Sequence, residues 1–303
     1  MKKGAKKEPK GRAKIIIVLG PTASGKSALA VYLAKKFNGE IISADSRQVY
    51  KGLDIGTGKI TKKEMLGITH HMLDIAHPSR RYSVSRYKKG ADKRIKEIID
   101  KGKLPIVCGG TGFYIQAIVE GLVLPEVKPN KKLRQELNKK STDQLFKILQ
   151  KLDSRRSKEI DSKNPRRLVR AIEIAMAIKK VPKIVRREEY NTLEIGISTK
   201  MEILKKKINK RLLYRMKKGM IAESRHIRQK GLSWKRFDEL GLEYRYIGKY
   251  LQRKISKKEM LDELNKEIIN YAKRQMTWFK RDHKIHWVQT KKEATSLTKN
   301  FLE

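Results

Sequence analysis

The sequence predicts an α/β protein: a P-loop NTPase-like parallel sheet flanked by helices, with a mostly helical insertion. Three observations carry that prediction. Continuous apolar, β-branched runs read as strands buried on both faces of a parallel sheet. Helical patterns alternate with these runs up to Pro125. Beyond Pro125 the strand signal fades, Lys- and Arg-rich helical patterns take over, and strand-like alternation returns only at Leu193.

Taken in order, residues 1–13 are basic and are expected to form a disordered arm. Ile15-Ile16-Ile17-Val18-Leu19 is the first buried strand. The stretch Gly20 to Gly25 breaks it, and Lys26 to Phe37 then carries Leu29, Leu33 and Phe37 at helical spacing. Glu40 to Ala44 reads as a second strand, and Tyr87 to Lys101 as an amphipathic helix ending at Gly102. Leu104 to Cys108 is another buried strand, followed by Gly109-Gly110 and a helix near Phe113 to Val119. Leu193 to Ser198 reads as a strand, 200–230 and 256–282 as long basic helices, and Ile285 to Gln289 as a last strand. The α/β core is therefore expected over 14–125 and 193–303, with the helical insertion over 126–192.

The 303 residues allow one sizeable core or two smaller ones. There are 74 Lys and Arg against 32 Asp and Glu, a formal charge of +42, so the natural partner is a polyanion. A general lysine bias in the proteome is the competing explanation. Cys108 is the only cysteine, which precludes an internal disulfide and suits a reducing, cytoplasmic setting. No apolar run is long enough to span a membrane, and the basic N-terminus has no apolar stretch behind it, so no membrane association is expected.

Gly20-Pro21-Thr22-Ala23-Ser24-Gly25-Lys26-Ser27 matches G-x-x-x-x-G-K-[ST] between a strand and a helix. Its glycines let backbone N–H groups turn inward around phosphate oxygens. Lys26 adds a mobile cation, and the Ser27 hydroxyl is a candidate ligand for Mg²⁺. The loop identifies a di- or triphosphate ligand but not the reaction: a kinase or ATPase moves a phosphoryl group, whereas a prenyltransferase holds a diphosphate leaving group.

Two more loops leave strands at the edge where ligands bind in open α/β sheets. One is Ser43-Ala44-Asp45-Ser46-Arg47-Gln48-Val49-Tyr50, the other Gly109-Gly110-Thr111-Gly112-Phe113-Tyr114. Asp45 is a candidate general base or Mg²⁺ partner, with a turn or helix-cap role as the alternative. Thr111 is a candidate donor to a phosphate or bridging oxygen.

These motifs, followed through the chain, resemble the tRNA dimethylallyltransferase family. The resemblance runs through G-P-T-A-S-G-K-S, S-A-D-S-R-Q-V-Y-K-G-L-D-I-G-T-G-K, H-H-M-L-D, G-G-T-G-F-Y, N-P-R-R-L-V-R-A-I-E and A-K-R-Q-M-T-W-F-K-R-D, in that order. It implies that the diphosphate of dimethylallyl diphosphate lies on Gly20 to Ser27, that Asp45 is the base on an adenine exocyclic amine, and that Thr111 contacts the leaving oxygen, with Lys26 and Mg²⁺ assisting. It further implies transfer to the adenosine beside the anticodon of tRNA. Asp45, Ser46, Arg47, Gln48 and Thr111 would contact the anticodon stem-loop, as would Arg134, Arg166, Arg167, Leu168, Val169 and Arg170. A monomer is expected. One segment departs from the pattern: Tyr244 and Arg245 match, but Glu243 stands where many members have glycine.

Asn164-Pro165 reads as an N-cap and first helical position. Leu168, Ile172 and Ala175 share one face of that helix, and Arg166, Arg167 and Arg170 the other. In the last long helix Ile268, Ala272, Met276 and Phe279 oppose Lys273, Arg274, Lys280 and Arg281. Two basic stripes on a chain of this charge favour phosphate contact over a merely solvated face, and an unstacked loop base suits RNA recognition. His70-His71 lacks metal-ligand spacing and is expected to be satisfied by hydrogen bonds. Trp234, Trp278 and Trp287 are expected to pack. Competing readings are a nucleoside or metabolite kinase, a prenyltransferase of free adenine nucleotides, and an RNA-binding ATPase; no convincing Walker B strand supports the last.

Overall fold

In the computed structural model, residues 11–183 and 185–303 are described; most of the expected basic arm therefore lies outside the described residues. Its last member, Ala13, opens the first strand. The described chain divides into two compact units, Met1–Gly121 with Glu188–Glu303, and Leu122–Arg187.

The first unit begins β1 (Ala13–Leu19), α1 (Lys26–Lys36), β2 (Gly39–Ala44), α2 (Lys62–Met65), β3 (His70–His71), α3 (Val84–Asp100), β4 (Leu104–Gly109) and α4 (Gly112–Val119). The second unit comprises β5 (Leu122–Val123), α5 (Lys131–Leu137), α6 (Thr142–Leu152), α7 (Ser154–Glu159), α8 (Pro165–Ile178) and β6 (Val185–Arg186). The first unit resumes with β7 (Tyr190–Ile197), α9 (Met201–Lys217), α10 (Met220–Gln229), α11 (Trp234–Leu240), α12 (Leu242–Leu251), α13 (Lys257–Phe279), β8 (His286–Val288) and α14 (Lys291–Leu302).

The six-stranded sheet has the order β3-β2-β4-β1-β7-β8, and every named strand pair in it is parallel. Its two faces read directly off β1. Ile15, Ile17 and Leu19 enter a core with α3, α4 and residues of α10 to α13, while Ile16 and Val18 enter a second core with α1 and Ala294 of α14. Burial on both faces is why β1 is a continuous apolar run rather than an alternating one. Tyr87 and Tyr114 stack with centroids 3.9 Å apart, fixing α3 against α4.

Several boundaries differ from expectation. Strand β7 begins at Tyr190 rather than Leu193, because Tyr190 and Asn191 pair with Ala13 and Lys14. The helical unit correspondingly spans 122–187 rather than 126–192. The expected helix 200–230 is two helices, broken where Gly219 takes φ 96°. Helices α11, α12 and α14 carry no expectation from the sequence.

In the second unit Leu137, Leu145, Leu149, Leu168 and Ile172 form the core. Asn164 caps α8 by accepting from Arg167 N at 3.2 Å, with Pro165 at the first position.

Glu194 sits in β7, between β1 and β8, and is 4% exposed. Its Oε1 has no hydrogen-bond partner among the described residues. Burial pushes its carboxyl up to about 7, Asp282 adds to the rise, and Lys284 opposes it. A raised carboxyl contributes stability that is full below its ordinary 4.5 and lost as pH rises through about 7. Glu194→Gln should therefore melt with the parent near pH 4 and above it near pH 8, measured by thermal circular dichroism. An identical offset at both pH values would exclude ionisation of this group.

Candidate active site

The strand register brings three loops to one edge. Leu19 of β1 pairs with Gly109 of β4, and Gly109 pairs with Ala44 of β2. The loops that follow these residues carry Gly20–Ser27, Asp45–Gln48 and Thr111.

In the first loop, Ala23 takes φ 62° and Gly25 φ 96°. Left-handed residues in such a loop favour successive N–H groups facing one concavity, the arrangement that receives an anion. Ser24 N donates to Pro21 O at 3.3 Å, and the Ser24 side chain is buried with no partner for its Oγ among the described residues. Lys26 Nζ donates to Pro21 O at 3.2 Å. Burial pulls the Lys26 ammonium below its ordinary pKa; Cys108 and Asp45 counter this and Arg211 adds to it. The ammonium thus sits in a poorly solvated site, where its attraction for an anion is strongest.

In the second loop, Asp45 Oδ1 accepts from Arg47 N at 2.8 Å and Gln48 N at 3.3 Å. Asp45 is therefore a turn cap, as one of its two sequence readings had it, and its second oxygen accepts no hydrogen bond from the described residues. Gln48 Nε2 donates to Gly58 O at 3.3 Å. Thr111 Oγ1 accepts from Ser46 N at 3.0 Å, and Thr111 N donates to Ala44 O at 3.1 Å. The second and third loops are thus stitched together beside Asp45.

The segment after the second loop is clamped from α9, α10 and α12. Glu223 accepts from the backbone N–H groups of Asp54, Ile55 and Gly56 at 2.9, 2.7 and 2.9 Å, and from the Tyr244 hydroxyl at 2.8 Å. Arg215 donates to Gly56 O at 2.8 Å and to Glu243 at 3.0 Å, and Arg211 donates to Gly58 O at 3.1 Å. Glu243, where the family pattern has glycine, is an ion-pair partner of Arg215. Arg245 donates to Asp238 O at 3.0 Å. Burial lowers the Arg211 pKa, as does Arg215, while Glu243 and Asp45 oppose them.

Sequence reasoning assigned no role to Arg211, Glu223, Tyr271 or Gln275. Tyr271, at the border of exposure, has its phenol pushed above its ordinary range by burial and then by Asp45. Trp278 is 37% exposed rather than packed away, with its indole against Gly112. Trp234 and Trp287 pack against the core as expected. His71 Nε2 lies 2.7 Å from Glu40 Oε2, and His70 Nδ1 lies 2.9 Å from Ile68 O, so both histidines have the hydrogen bonds expected of them.

Among the described residues no cluster of three or more His, Cys, Asp or Glu could hold a metal ion. Mg²⁺ with a diphosphate does not require one. It takes one or two protein oxygens and fills its other positions with phosphate oxygens and water. Ser27, exposed on the first turn of α1, and the unpartnered Ser24 Oγ fit that donor set.

In the helical unit the expected RNA contacts divide. Arg166 and Arg167 are exposed. Leu168 and Val169 are 0% and 7% exposed, which corrects their assignment: their side chains fill the unit's core and cannot reach RNA. Arg134 forms a two-pronged pair with Glu173, at 2.8 and 2.6 Å, and Arg170 also bonds Glu173 and donates to Val127 O at 3.0 Å. Glu173 is 2% exposed, and its arginines keep its carboxyl below the ordinary value against the opposing effect of burial. Both arginines are occupied in holding the unit together.

No helix among the described residues is long and apolar enough to cross a membrane. The profile of the family described as IPP transferase matches residues 48–282. A Treponema denticola protein named tRNA dimethylallyltransferase 2 is 43% identical over 283 residues, covering 90% of this chain and 95% of the relative. A Halothermothrix orenii tRNA dimethylallyltransferase is 39% identical, covering 90% of this chain and 86% of its own. Among solved structures, the Bacillus halodurans tRNA isopentenylpyrophosphate transferase superposes with TM-score 0.69 at 34% identity, covering 92% and 90% of the two chains. A eukaryotic dimethylallyltransferase acting on tRNA superposes with TM-score 0.77 at 26% identity, covering 91% of this chain and 74% of that one. The chain belongs to the IPP transferase family, the tRNA dimethylallyltransferases.

Proposed function

We propose that this protein transfers the dimethylallyl group of dimethylallyl diphosphate to the exocyclic amine of the adenosine next to the anticodon, position 37, in tRNAs that read codons beginning with U. Diphosphate is the other product. The observation that carries the reading is the convergence of an anion cradle, a carboxylate and a threonine hydroxyl at one sheet edge.

Each part has a task the chemistry requires. The allylic carbon is a good electrophile because positive charge there spreads over the double bond. Its release leaves negative charge on the diphosphate. The amides of the Gly20 to Ser27 loop that are not taken by Gln275 and Pro21 O, the Lys26 ammonium and the Arg211 guanidinium stabilise that charge in a preorganised, poorly solvated setting. Mg²⁺, held through Ser27, neutralises part of the same charge when bound. Thr111 donates to the leaving oxygen, exchanging for it the long 3.4 Å bond its hydroxyl makes to Ser46 Oγ, while Ser46 N–H keeps the threonine oxygen as acceptor. The adenine amine is a weak nucleophile whose proton becomes acidic as the new bond forms, and Asp45 takes that proton. Ser46, Arg47, Gln48, Arg166 and Arg167 face the RNA. On this reading the protein is a cytoplasmic monomer.

Incubation with unmodified tRNA and dimethylallyl diphosphate, followed by mass analysis of digested nucleosides, should yield a prenylated adenosine. ATP consumption without tRNA modification would replace this reading with that of a kinase or ATPase.

Asp45→Asn keeps an oxygen for Arg47 N and Gln48 N while removing the base. Turnover should fall by about 10²–10⁴-fold with donor affinity retained; normal turnover would remove Asp45 from the role.

Ser27→Ala should raise the Mg²⁺ concentration for half-maximal activity by about tenfold, one lost ligand costing on the order of 1.4 kcal/mol. An unchanged Mg²⁺ titration would mean the ion is held elsewhere.

A further inference from the structure

We propose that Gln275 is a positioning residue that sets the spacing between the diphosphate cradle and the third loop, to which the Asp45 loop is bonded; this rests on the prenyl-transfer reading above. Gln275 lies on α13, 7% exposed, far in sequence from both loops it touches. Its Oε1 accepts from Thr22 N at 2.8 Å, and its Nε2 donates to Gly110 O at 2.7 Å. A primary amide carries an acceptor and a donor side by side. One side chain can therefore join an N–H of the first loop to a carbonyl of the third. A carboxylate or a hydrocarbon of the same length cannot.

The backbone is shaped around this contact. A Cβ at Gly110 would lie 2.4 Å from Gln275 Nε2, and one at Gly112 would lie 2.3 Å from Trp278 Nε1. The third loop thus seats on α13 at two points, one turn apart along the helix. Tyr271, one turn earlier on the same face, feels the Asp45 carboxylate. This face of α13 is a wall of the site.

The connection runs from the leaving group to the base. Thr22 belongs to the cradle, and Gly110 precedes Thr111. Thr111 holds Ser46 N, and Ser46 follows Asp45. In productive transfer the carbon–oxygen bond to diphosphate breaks with its electron pair leaving on oxygen. The amine nitrogen bonds to that carbon, and the amine proton goes to Asp45. If the acceptor stands out of line, water bonds to the carbon instead, its proton goes to solvent, and the products are the allylic alcohol and diphosphate. A displacement of about 1 Å costs about 10²-fold in such aligned reactions.

Gln275→Met keeps volume and loses both bonds. Gln275→Glu keeps an acceptor for Thr22 N and sets a second oxygen against Gly110 O. With full-length enzyme, unmodified tRNA and dimethylallyl diphosphate, diphosphate released and prenyladenosine formed are measured in one reaction. The parent should give one of each. Both variants should lose about tenfold or more in kcat, keep both KM values within about threefold, and release diphosphate in excess of prenyladenosine. The ratio does not depend on how much protein is folded, so a purely structural role leaves it at one; that outcome in both variants overturns the proposal. Should the Met variant fail to fold, the Glu variant decides alone. A parent enzyme that forms no prenyladenosine would instead overturn the prenyl-transfer reading.

Discussion

The parallel pairing of β4 with both β1 and β2 is the constraint on which the site rests. Strand ends locked in register, Leu19 to Gly109 to Ala44, hold their following loops side by side without any loop being rigid by itself. Backbone ladders are stiff and buried on both faces, so loop starting points are fixed by the hydrophobic core rather than by loop contacts. Chemistry that needs an anion cradle and a base a few ångströms apart can then be carried by short segments. The remaining freedom, the path of each loop beyond its strand, is removed by side chains arriving from the C-terminal helices.

Those helices do two separable jobs. Glu223, Arg211 and Arg215 grip the segment from Asp54 to Gly58 through its backbone groups, and Gln275 grips the first and third loops. Backbone groups are served in nearly every case. A buried N–H or carbonyl left without a partner costs about 1–3 kcal/mol, so each grip is favoured by the polar groups the loop would otherwise strand. The same economy explains the mixture of acid and base around Asp45. Arg211 and Lys26 raise the local positive potential, while Glu243 pairs with the Arg215 guanidinium and Glu223 accepts from the amides of Asp54, Ile55 and Gly56.

Legibility in the sequence followed the range of the interaction. The first strand, the phosphate loop, the cap at Asn164 and the buried Cys108 depend on neighbours a few residues away, and the pattern exposes them. Gly219, a glycine inside a helical stretch, was a visible signal for the break between α9 and α10. Gln275 was not legible, because its partners are 253 and 165 residues distant and nothing in Q-M-T-W marks the glutamine as a strut. The arginines of the helical unit were legible as charge but not as partners. Glu173 lies on the same helix as Arg170, yet its burial and its link to Arg134 exist only once α5 and α8 pack.

That last pairing bears on how a chain of +42 distinguishes one RNA from another. Diffuse positive charge attracts any phosphate backbone and loses its grip as salt rises. Discrimination needs cations held in one geometry. Glu173, 2% exposed, fixes Arg134 and Arg170 in place and leaves Arg166 and Arg167 exposed at the start of α8. A buried carboxylate shared by two guanidinium groups is weak support for stability in itself, since desolvation opposes the pairing. Its value is orientational: it ties α5 to α8 through Arg134 and Asn130 N, beside a core that includes Leu168 and Ile172. Within one short motif, Arg170 is thus spent on the buried Glu173, while Arg166 and Arg167 stay exposed.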